Sequence, residues 1–539
     1  MHRSATTLGP MTASSIAQRR CCTQRTHAKS RGLDRITTLV ITLTLYVACA
    51  LARAAEPAGV VLNSVVVRGS TIYDAAELYS VYREHLGRPI DAAMVRALTS
   101  ALSDRYAASG YARPQLRIEP ALVAAGILRV DVVEMRIGAV EVTGDAGPYR
   151  ERLDYLGAAL SAQAPVRQED VQRTLRRMRE LPGLTLEART SRDENDPNAF
   201  RLLLDTSFAP VSGSVRVSNR GTDEIGPNFL IGQLAVNGVL GGAGSAGTLF
   251  SAALGDYSEY RGAGGFATVA VGEGGRRITG TAFRSRSNPQ ERPVDRDISY
   301  VRDRVTLRVT LPAVSAWTPF FGMRLDDLEI DRNDVRLRDE RLRVVEGGVA
   351  LSVRRPSGVQ AAATFEIGKG VDAFGSGLHA ADLTADRRSA DFLLARFTYA
   401  RLKPLGPRWQ LRFDTFAQYT ADVLPYAERF KIGGERLGRG FEVAEIAGDR
   451  GAGAKVEARR SLARAPARFG RTSLYGFYDI GAAFKQDVPG RESAASAGVG
   501  LSARTERTTS TFELAQPLTH ADVEGNKDLS LFVEIVVGF

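Results

Sequence analysis

From Val211 to the C-terminus, apolar and polar residues alternate with a period of two, and no helical pattern interrupts them. The segments RVTLRVTL (304–311) and RWQLRFDTFAQY (408–419) both place every second side chain on one apolar face. A soluble sandwich also alternates, but its strands are shorter and its polar face meets bulk water. Strands of about ten residues that recur to residue 539 therefore predict a transmembrane β-barrel with lipid outside and water inside.

The spacing predicts about 16 antiparallel strands. We expect them to start near residues 211, 229, 247, 263, 277, 303, 317, 343, 358, 389, 408, 451, 471, 494, 509 and 529. An even number returns the C-terminus to the side of the membrane where the first strand begins. Four long connections are expected, at 286–302, 330–342, 370–389 and 420–450, and all follow odd-numbered strands, as extracellular loops should. Closure is required because unpaired backbone groups in hydrocarbon cost several kcal/mol each.

Residues 56–210 have a different pattern, in which short strands alternate with helical periods. A β-α-α-β-β order occurs in residues 56–134 and again in residues 135–210. The second helix of each unit carries one apolar face, made of Val95, Leu98, Leu102 and Tyr106 in the first and of Val171, Leu175, Met178 and Leu181 in the second. The repeat predicts two small α+β domains ahead of the barrel.

Residues 1–55 are typical of a secretory leader. They hold eight Lys/Arg and one acid, so +7 of the chain's net +10 lies there. An apolar run follows at 36–52, and Ala52-Arg53-Ala54 offers a small-x-small cleavage site. The alternative is a membrane anchor, because the run is near the lower length limit for a span. The pre-region is long, and Met11 is a second candidate start.

The remaining chain offers no enzyme chemistry. All three cysteines, Cys21, Cys22 and Cys49, lie in the leader, which excludes disulfides and thiolate sites downstream. The five histidines are scattered without metal-ligand spacing. The G-x-G-x-x-G match at 242–247 precedes a strand pattern rather than a helix, so it predicts a hairpin turn. We expect no catalytic residue, no metal and no cofactor, and the near-neutral charge outside the leader argues against a nucleic-acid partner.

The most informative segment is KIGGERLGRGFEVAEIAGDRGAGAKVEAR (431–459), which begins in the longest loop. Its candidate site residues are Gly438, Arg439, Gly440, Phe441, Gly448 and Asp449. Glycines would let the loop 420–450 fold back into the lumen, where an arginine needs a partner. The alternative is a polar surface loop rich in turn residues.

A candidate partner lies on the predicted strand SLYGFYDIGAAF (473–484). Phe477, Asp479 and Gly481 share one face of it, and Leu474 and Tyr478 share the other. If the second face meets lipid, then Asp479 points into the lumen and is placed to pair with Arg439. The alternative is that Asp479 is an ordinary solvated lumen residue.

These motifs resemble those of a known group. LGRGF resembles the loop motif of the BamA-like outer-membrane superfamily, and FYDIG (477–481) resembles its barrel-strand motif. Two units resembling POTRA domains, one barrel and GDRG after the loop motif are similar to the two-partner-secretion transporters (TpsB; ShlB/FhaC/HecB type). The resemblance implies that Arg439 and Asp479 form a lumen contact, and that the terminal Phe539 is a recognition signal for the barrel-assembly machinery.

The resemblance further implies a chain in the outer membrane, with POTRA domains in the periplasm that capture an unfolded exoprotein (TpsA-like) for export through the barrel. The cargo class stays open between adhesin, haemolysin, toxin and protease. Rival functions are an assembly factor that inserts other barrels and a passive porin. One departure concerns the plug helix that often precedes the first POTRA unit. Only about five residues follow the predicted cleavage site, so either the plug is absent or cleavage occurs elsewhere.

Overall fold

The structure is a computed structural model. It describes residues 60–539 except 194, 195, 197, 198, 223, 224, 242, 243, 257, 273, 274, 290–297, 356, 381–387, 463–468 and 520–527. The predicted leader and its three cysteines lie outside the described residues. Within the described part, no helix combines the length and apolarity that crossing a membrane would need, and no cluster of His, Asp or Glu is arranged to hold a metal ion.

The first small domain follows the predicted β-α-α-β-β order. Its elements are β1 (Ser64–Arg68), α1 (Ala75–Tyr82), α2 (Ala92–Ala108), β2 (Gln115–Glu119) and β3 (Ile127–Val133). The sheet order is β1-β3-β2, and β1 runs parallel to β3. Helix α1 begins at a capping box, in which Asp74 accepts the N–H of Glu77 and the Glu77 carboxylate accepts the N–H of Asp74.

The second small domain repeats this order. Its elements are β4 (Arg136–Gly144), α3 (Arg150–Ser161), α4 (Gln168–Arg179), β5 (Leu184–Arg192) and β6 (Ala199–Phe208). The sheet order is β4-β6-β5, with β4 parallel to β6. Apolar residues of both helices pack on the sheet, among them Leu153, Leu160, Met178, Leu202 and Leu204. Burial raises the pKa of the Tyr149 phenol, whose hydroxyl donates to the Pro182 carbonyl at 2.8 Å.

The chain divides into two compact units. The smaller unit holds the described residues up to 68 together with 73–102 and 116–131. The larger unit holds 69–72, 103–115 and 132–539, so the second small domain and the barrel belong to one unit.

The described residues from 211 onward form a closed barrel of 16 antiparallel strands. The strands are β7 (Val211–Ser218), β8 (Phe229–Val239), β9 (Gly244–Ala253), β10 (Tyr260–Val271), β11 (Arg276–Ser287), β12 (Ile298–Thr310), β13 (Trp317–Arg332), β14 (Val335–Arg354), β15 (Gln360–Gly370), β17 (Leu393–Pro404), β18 (Trp409–Thr420), β21 (Arg450–Ser461), β22 (Arg471–Phe484), β23 (Glu492–Arg504), β24 (Thr508–Pro517) and β25 (Ser530–Gly538). A short strand, β16 (Gly377–Ala380), pairs with residues 338–341 of β14, beyond the part of β14 that pairs with β15, and β15 also pairs directly with β17. The predicted fold class is confirmed.

The apolar rows of the sequence form the outer surface of the barrel. Val305, Leu307 and Phe365 are each more than 40% exposed, which is the expected state of side chains that meet lipid. Side chains of the other parity face inward, and many carry charge. The ladder closes where β25 pairs with β7 through five residue pairs, from Glu534↔Ser218 to Gly538↔Ser214.

One expected loop is strand instead. The prediction of a long connection at 330–342 is wrong, because β13 and β14 continue as one hairpin to a two-residue turn at Asn333-Asp334. Both turn residues have positive φ, +48° and +60°, which is the backbone form that tight antiparallel hairpins prefer. The start of β14 therefore lies at Val335 rather than near residue 343.

Candidate functional site: a loop anchored in the barrel lumen

The connection between β18 and β21 folds back into the barrel. It contains a 3-10 turn at Tyr426–Glu428 and a small hairpin of two strands, β19 (Phe430–Ile432) and β20 (Ile446–Gly448). We call residues 421–449 the lumen loop. The hairpin packs on β22, and its apolar side chains are buried against the inner wall. This buried cluster consists of Phe430, Ile432, Leu437, Phe441, Ile446, Ala483 and Ala494.

Arg439 is the central cation of the lumen loop and is 5% exposed. Its Nε and Nη2 donate to the two carboxylate oxygens of Asp479 at 3.1 and 2.9 Å. Its Nη1 donates to Glu457 at 3.1 Å and to Glu513 at 3.2 Å. The guanidinium carbon also lies 3.5 Å from the centre of the Phe477 ring, within cation–π range. Three carboxylates from β21, β22 and β24 thus hold one arginine, which offsets the cost of burying its charge.

Asp479 completes the contact from the barrel wall and is fully buried. Besides the guanidinium, its Oδ2 accepts the backbone N–H groups of Gly438 and Arg439, each at 3.2 Å. The carboxylate therefore fixes the backbone of the loop as well as its side chain. Because Leu474 on the opposite face is 50% exposed, β22 presents Asp479 to the lumen and its apolar row to the outside.

The glycines of the motif allow the loop to approach the wall closely. Gly438 has φ +85°, a conformation that side chains rarely adopt. A Cβ on Gly440 would lie 2.9 Å from the backbone nitrogen of Pro517, and one on Gly448 would lie 2.7 Å from the backbone of Phe484. Gly481 provides space on the wall, where an added Cβ would stand 3.1 Å from Ile432 and Leu437 side-chain atoms.

Asp449 ties the two ends of the lumen loop together. It is fully buried and accepts the N–H of Leu424 at 2.9 Å and the N–H of Gln486 at 2.7 Å. Leu424 lies at the start of the loop, and Gln486 follows β22. A carboxylate that receives backbone N–H groups from separate segments holds the entrance and the exit of the loop in one place.

A second anchor, at the beginning of the loop, was not predicted from the sequence. Glu428 is buried and accepts Nη1 of Arg324 at 2.6 Å and Nη2 of Arg396 at 2.7 Å. Arg324 belongs to a basic wall, in which Arg302 and Arg304 also pair with Asp326. The loop thus places the acidic Glu428 against a basic part of the barrel wall. It places the basic Arg439 against an acidic part of the wall. This charge pattern fixes the direction in which the loop lies.

The tip of the loop contacts the seam of the barrel, which was also not predicted. Glu435 pairs with Arg216 of β7, and Arg216 pairs in turn with Glu534 of β25. Arg220, just beyond β7, pairs with Glu513 at 2.7 Å. The sequence carries no local indication of these contacts, because the partners lie hundreds of residues apart.

Phe539 also lies at the seam. Its N–H donates to the Gly213 carbonyl at 3.0 Å, and its carbonyl accepts the Gly213 N–H at 2.9 Å. The ring covers Gly213, where a Cβ would stand only 2.5 Å from it. The terminal residue thus adds one more pair to the closing ladder.

Comparison with known proteins agrees with this architecture. Residues 323–503 match the model of the haemolysin secretion/activation protein ShlB/FhaC/HecB, and residues 60–134 match that of the ShlB-type POTRA domain. The outer membrane transporter CdiB of Escherichia coli is 23% identical over 180 residues, which span 33% of this chain and 30% of that protein.

Three solved structures share the fold. CdiB from Escherichia coli has a TM-score of 0.72 at 20% identity, with 90% of this chain and 92% of that chain covered. CdiB from Acinetobacter baumannii has a TM-score of 0.62 at 15% identity, with 90% and 91% covered. BamA from Haemophilus ducreyi lacking POTRA domains 1–3 has a TM-score of 0.50 at 12% identity, with 88% and 99% covered.

The fold is that of an outer-membrane β-barrel protein with periplasmic POTRA domains. Residues 323–503 are similar to the ShlB/FhaC/HecB family of haemolysin secretion/activation proteins, and residues 60–134 are similar to the POTRA domain of that type.

Proposed function

We propose that the chain is an outer-membrane translocator that secretes a partner exoprotein of the haemolysin or adhesin type through its barrel. The POTRA domains capture the unfolded substrate in the periplasm, and the barrel conducts it outward. The observation that carries the proposal is the lumen loop, which is held at Glu428, Arg439 and Asp449 inside a closed, charged lumen. Such a loop restricts the lumen at rest and can move without opening the barrel wall.

We assign residues 1–55 to a leader, 56–134 and 135–210 to the two POTRA domains, and 211–539 to the barrel with its inward loop. The contact between the lumen loop and the barrel wall serves as the gate of the lumen. Its loop side consists of Gly438, Arg439, Gly440, Phe441, Gly448 and Asp449, and its wall side consists of Phe477, Asp479 and Gly481. Phe539 serves as the assembly signal for the barrel-assembly machinery, and the outer apolar rows contact membrane lipid. The activity is transport, and it involves no catalytic residue, cofactor, metal or nucleic acid.

The second candidate function, insertion of other barrels into the membrane, requires the seam to open. The β25–β7 seam is the point to test, because its ladder has five pairs whereas β7–β8 and β24–β25 each have eight. The seam is reinforced, however, by the Arg216–Glu534 pair, the Phe539–Gly213 pair and two hydrogen bonds of the Asn219 side chain to the backbone of β25. These contacts favour a barrel that stays closed, as a translocator requires.

The secretome of a deletion strain tests the proposal. A translocator predicts that one exoprotein, or one small set, disappears from the medium and returns on complementation. A general loss of outer-membrane proteins would instead support the insertase. An unchanged secretome with altered small-solute uptake would support a porin.

A further inference from the structure

A cavity of about 230 Å³ lies where helix α4 meets the periplasmic turns of the barrel. Three arginines of α4 line it, namely Arg173, Arg176 and Arg177, and Arg277 of β11 joins them. The opposite side is formed by the β12–β13 turn at residues 311–316. We call this cavity the arginine mouth.

The charges of the arginine mouth are only partly compensated. Arg277 pairs with Glu180 at 2.9 Å, and Arg173 pairs with acids of its own helix turn. Arg176 and Arg177 are half-buried, and neither has a carboxylate partner among the described residues. Two adjacent guanidinium groups that are partly removed from water favour an anionic occupant.

The ladder register places this cavity on the lumen side of the barrel wall. Arg277 lies opposite Thr310, which shares the inner face of β12 with Arg308. Arg308 contacts Glu346 and Glu366, which line the lumen along with the wall that holds the loop. The turns that form the mouth are at the periplasmic end, where β7 begins. A polypeptide that enters the lumen from the POTRA side therefore passes the arginine mouth.

We infer that the arginine mouth binds the carboxylate side chains of an acidic stretch in the exported polypeptide as it enters the lumen. The inference rests on the proposed export function and adds the chemistry of the substrate segment. Arginine suits this role because its planar guanidinium donates two parallel hydrogen bonds to one carboxylate. A lipid headgroup is a poorer occupant, since Thr310, Thr318 and Ser352 in the lining all lie on the lumen face.

The test uses the full-length protein in nanodiscs made of zwitterionic lipid. The probe is a fluorescein-labelled twelve-residue peptide of alternating Asp and Gly, and the reference peptide replaces Asp by Asn. We expect the Asp peptide to bind with an affinity that falls steeply as salt is raised, and the Asn peptide not to bind. Arg176→Gln with Arg177→Gln should weaken binding at least tenfold. The matched control, Arg189→Gln with Arg192→Gln, makes the same charge change at two exposed positions of β5 and should stay within twofold of the wild type.

Equal binding of the two peptides, or unchanged binding by the Arg176/Arg177 variant, would overturn the inference. Displacement of the peptide by phosphatidylglycerol vesicles at lower concentration than by free Asp peptide would assign the site to lipid and would also overturn it. These outcomes are separate from the secretome result. If the deletion strain loses an exoprotein but the Arg176/Arg177 variant binds the Asp peptide normally, the export function is supported and only the inferred role of the arginine mouth is contradicted.

Discussion

Glu435 at the tip of the lumen loop forms an ion pair with Arg216 on the first barrel strand, 219 residues earlier in the chain. Because Arg216 also pairs with Glu534 on the last strand, one arginine joins the loop to both edges of the seam. The position of the loop and the closure of the barrel are therefore coupled through a single side chain. Any movement that withdraws the loop removes one of the two carboxylates that hold Arg216.

Neutralising Glu435 should release the loop tip while leaving the seam pair intact. For Glu435→Gln we expect a loss of about 1 kcal/mol, since Glu435 is half exposed and its pair is screened by water. That loss shifts a two-state equilibrium roughly fivefold, so the open probability in planar bilayers should rise by about that factor. Glu506→Gln, an exposed change of equal charge at a periplasmic turn, should leave it unchanged. Equal open probabilities for the two variants would contradict the coupling.

Removing the Arg439 guanidinium should strongly destabilise the loop, because the fully buried Asp479 loses its arginine partner, whereas Glu457 and Glu513 keep Arg459 and Arg220. We expect Arg439→Ala to lower the free energy of unfolding by roughly 3–5 kcal/mol, as for other broken buried pairs. Arg439→Lys should fall between this variant and the wild type, since an ammonium cannot donate in a fork to Asp479. Urea unfolding in detergent, followed by tryptophan fluorescence, measures both.

The control for that series is the exposed pair of Arg189 with Glu187, whose side chains are 73% and 69% exposed. Arg189→Ala should change the free energy of unfolding by about 1 kcal/mol or less. If Arg439→Lys has the same urea midpoint of unfolding as the wild type, then charge alone, and not the two-point contact with Asp479, holds the loop.

Gly440 should not tolerate a methyl group. Alanine there would bring its Cβ to 2.9 Å from the backbone of Pro517 and to 3.1 Å from the Ser496 side chain, so the loop must move away from the wall. We expect Gly440→Ala to cost roughly 1–3 kcal/mol, as overpacking does. Gly476→Ala on β22 meets only one atom, at 3.8 Å, and should stay within about 0.5 kcal/mol. Limited proteolysis of the loop in intact cells should distinguish the two variants, with cleavage enhanced only in Gly440→Ala.

Deletion of Phe539 should reduce the amount of folded barrel in the outer membrane. The deletion removes both the proposed assembly signal and the hydrogen-bonded pair with Gly213. Phe539→Ala separates the two effects, because it keeps the backbone pair and loses only the ring. If the ring is the signal, both variants should be depleted in isolated membranes to a similar extent. If only the deletion variant is depleted and Phe539→Ala is not, the effect comes from the lost backbone pair at the seam.

The barrel was predictable because a period of two over residues 211–539 has few physical explanations. The Arg439–Asp479 contact was accessible for the same reason, since strand parity decides which way Asp479 points. Strand parity does not show which inward-facing residues contact each other across the lumen. The ion pairs of Glu428 with Arg324 and of Glu435 with Arg216 therefore could not be inferred from the sequence. The extension of β14 to Val335 was missed because charged residues at 336–341 resemble a loop, whereas the Asn333-Asp334 turn keeps the strands paired.

The most direct test of the account is whether the exoprotein touches the inside of the barrel during export. Thr398 on β17 lies in the lumen beside the loop, on the same face as Arg396, and the adjacent Phe397 is 40% exposed on the outer surface. A photo-crosslinking amino acid at Thr398 should trap the exoprotein in secreting cells, and one at Phe397 should not. Crosslinks from Phe397 alone, or from neither position while secretion proceeds, would contradict export through the lumen.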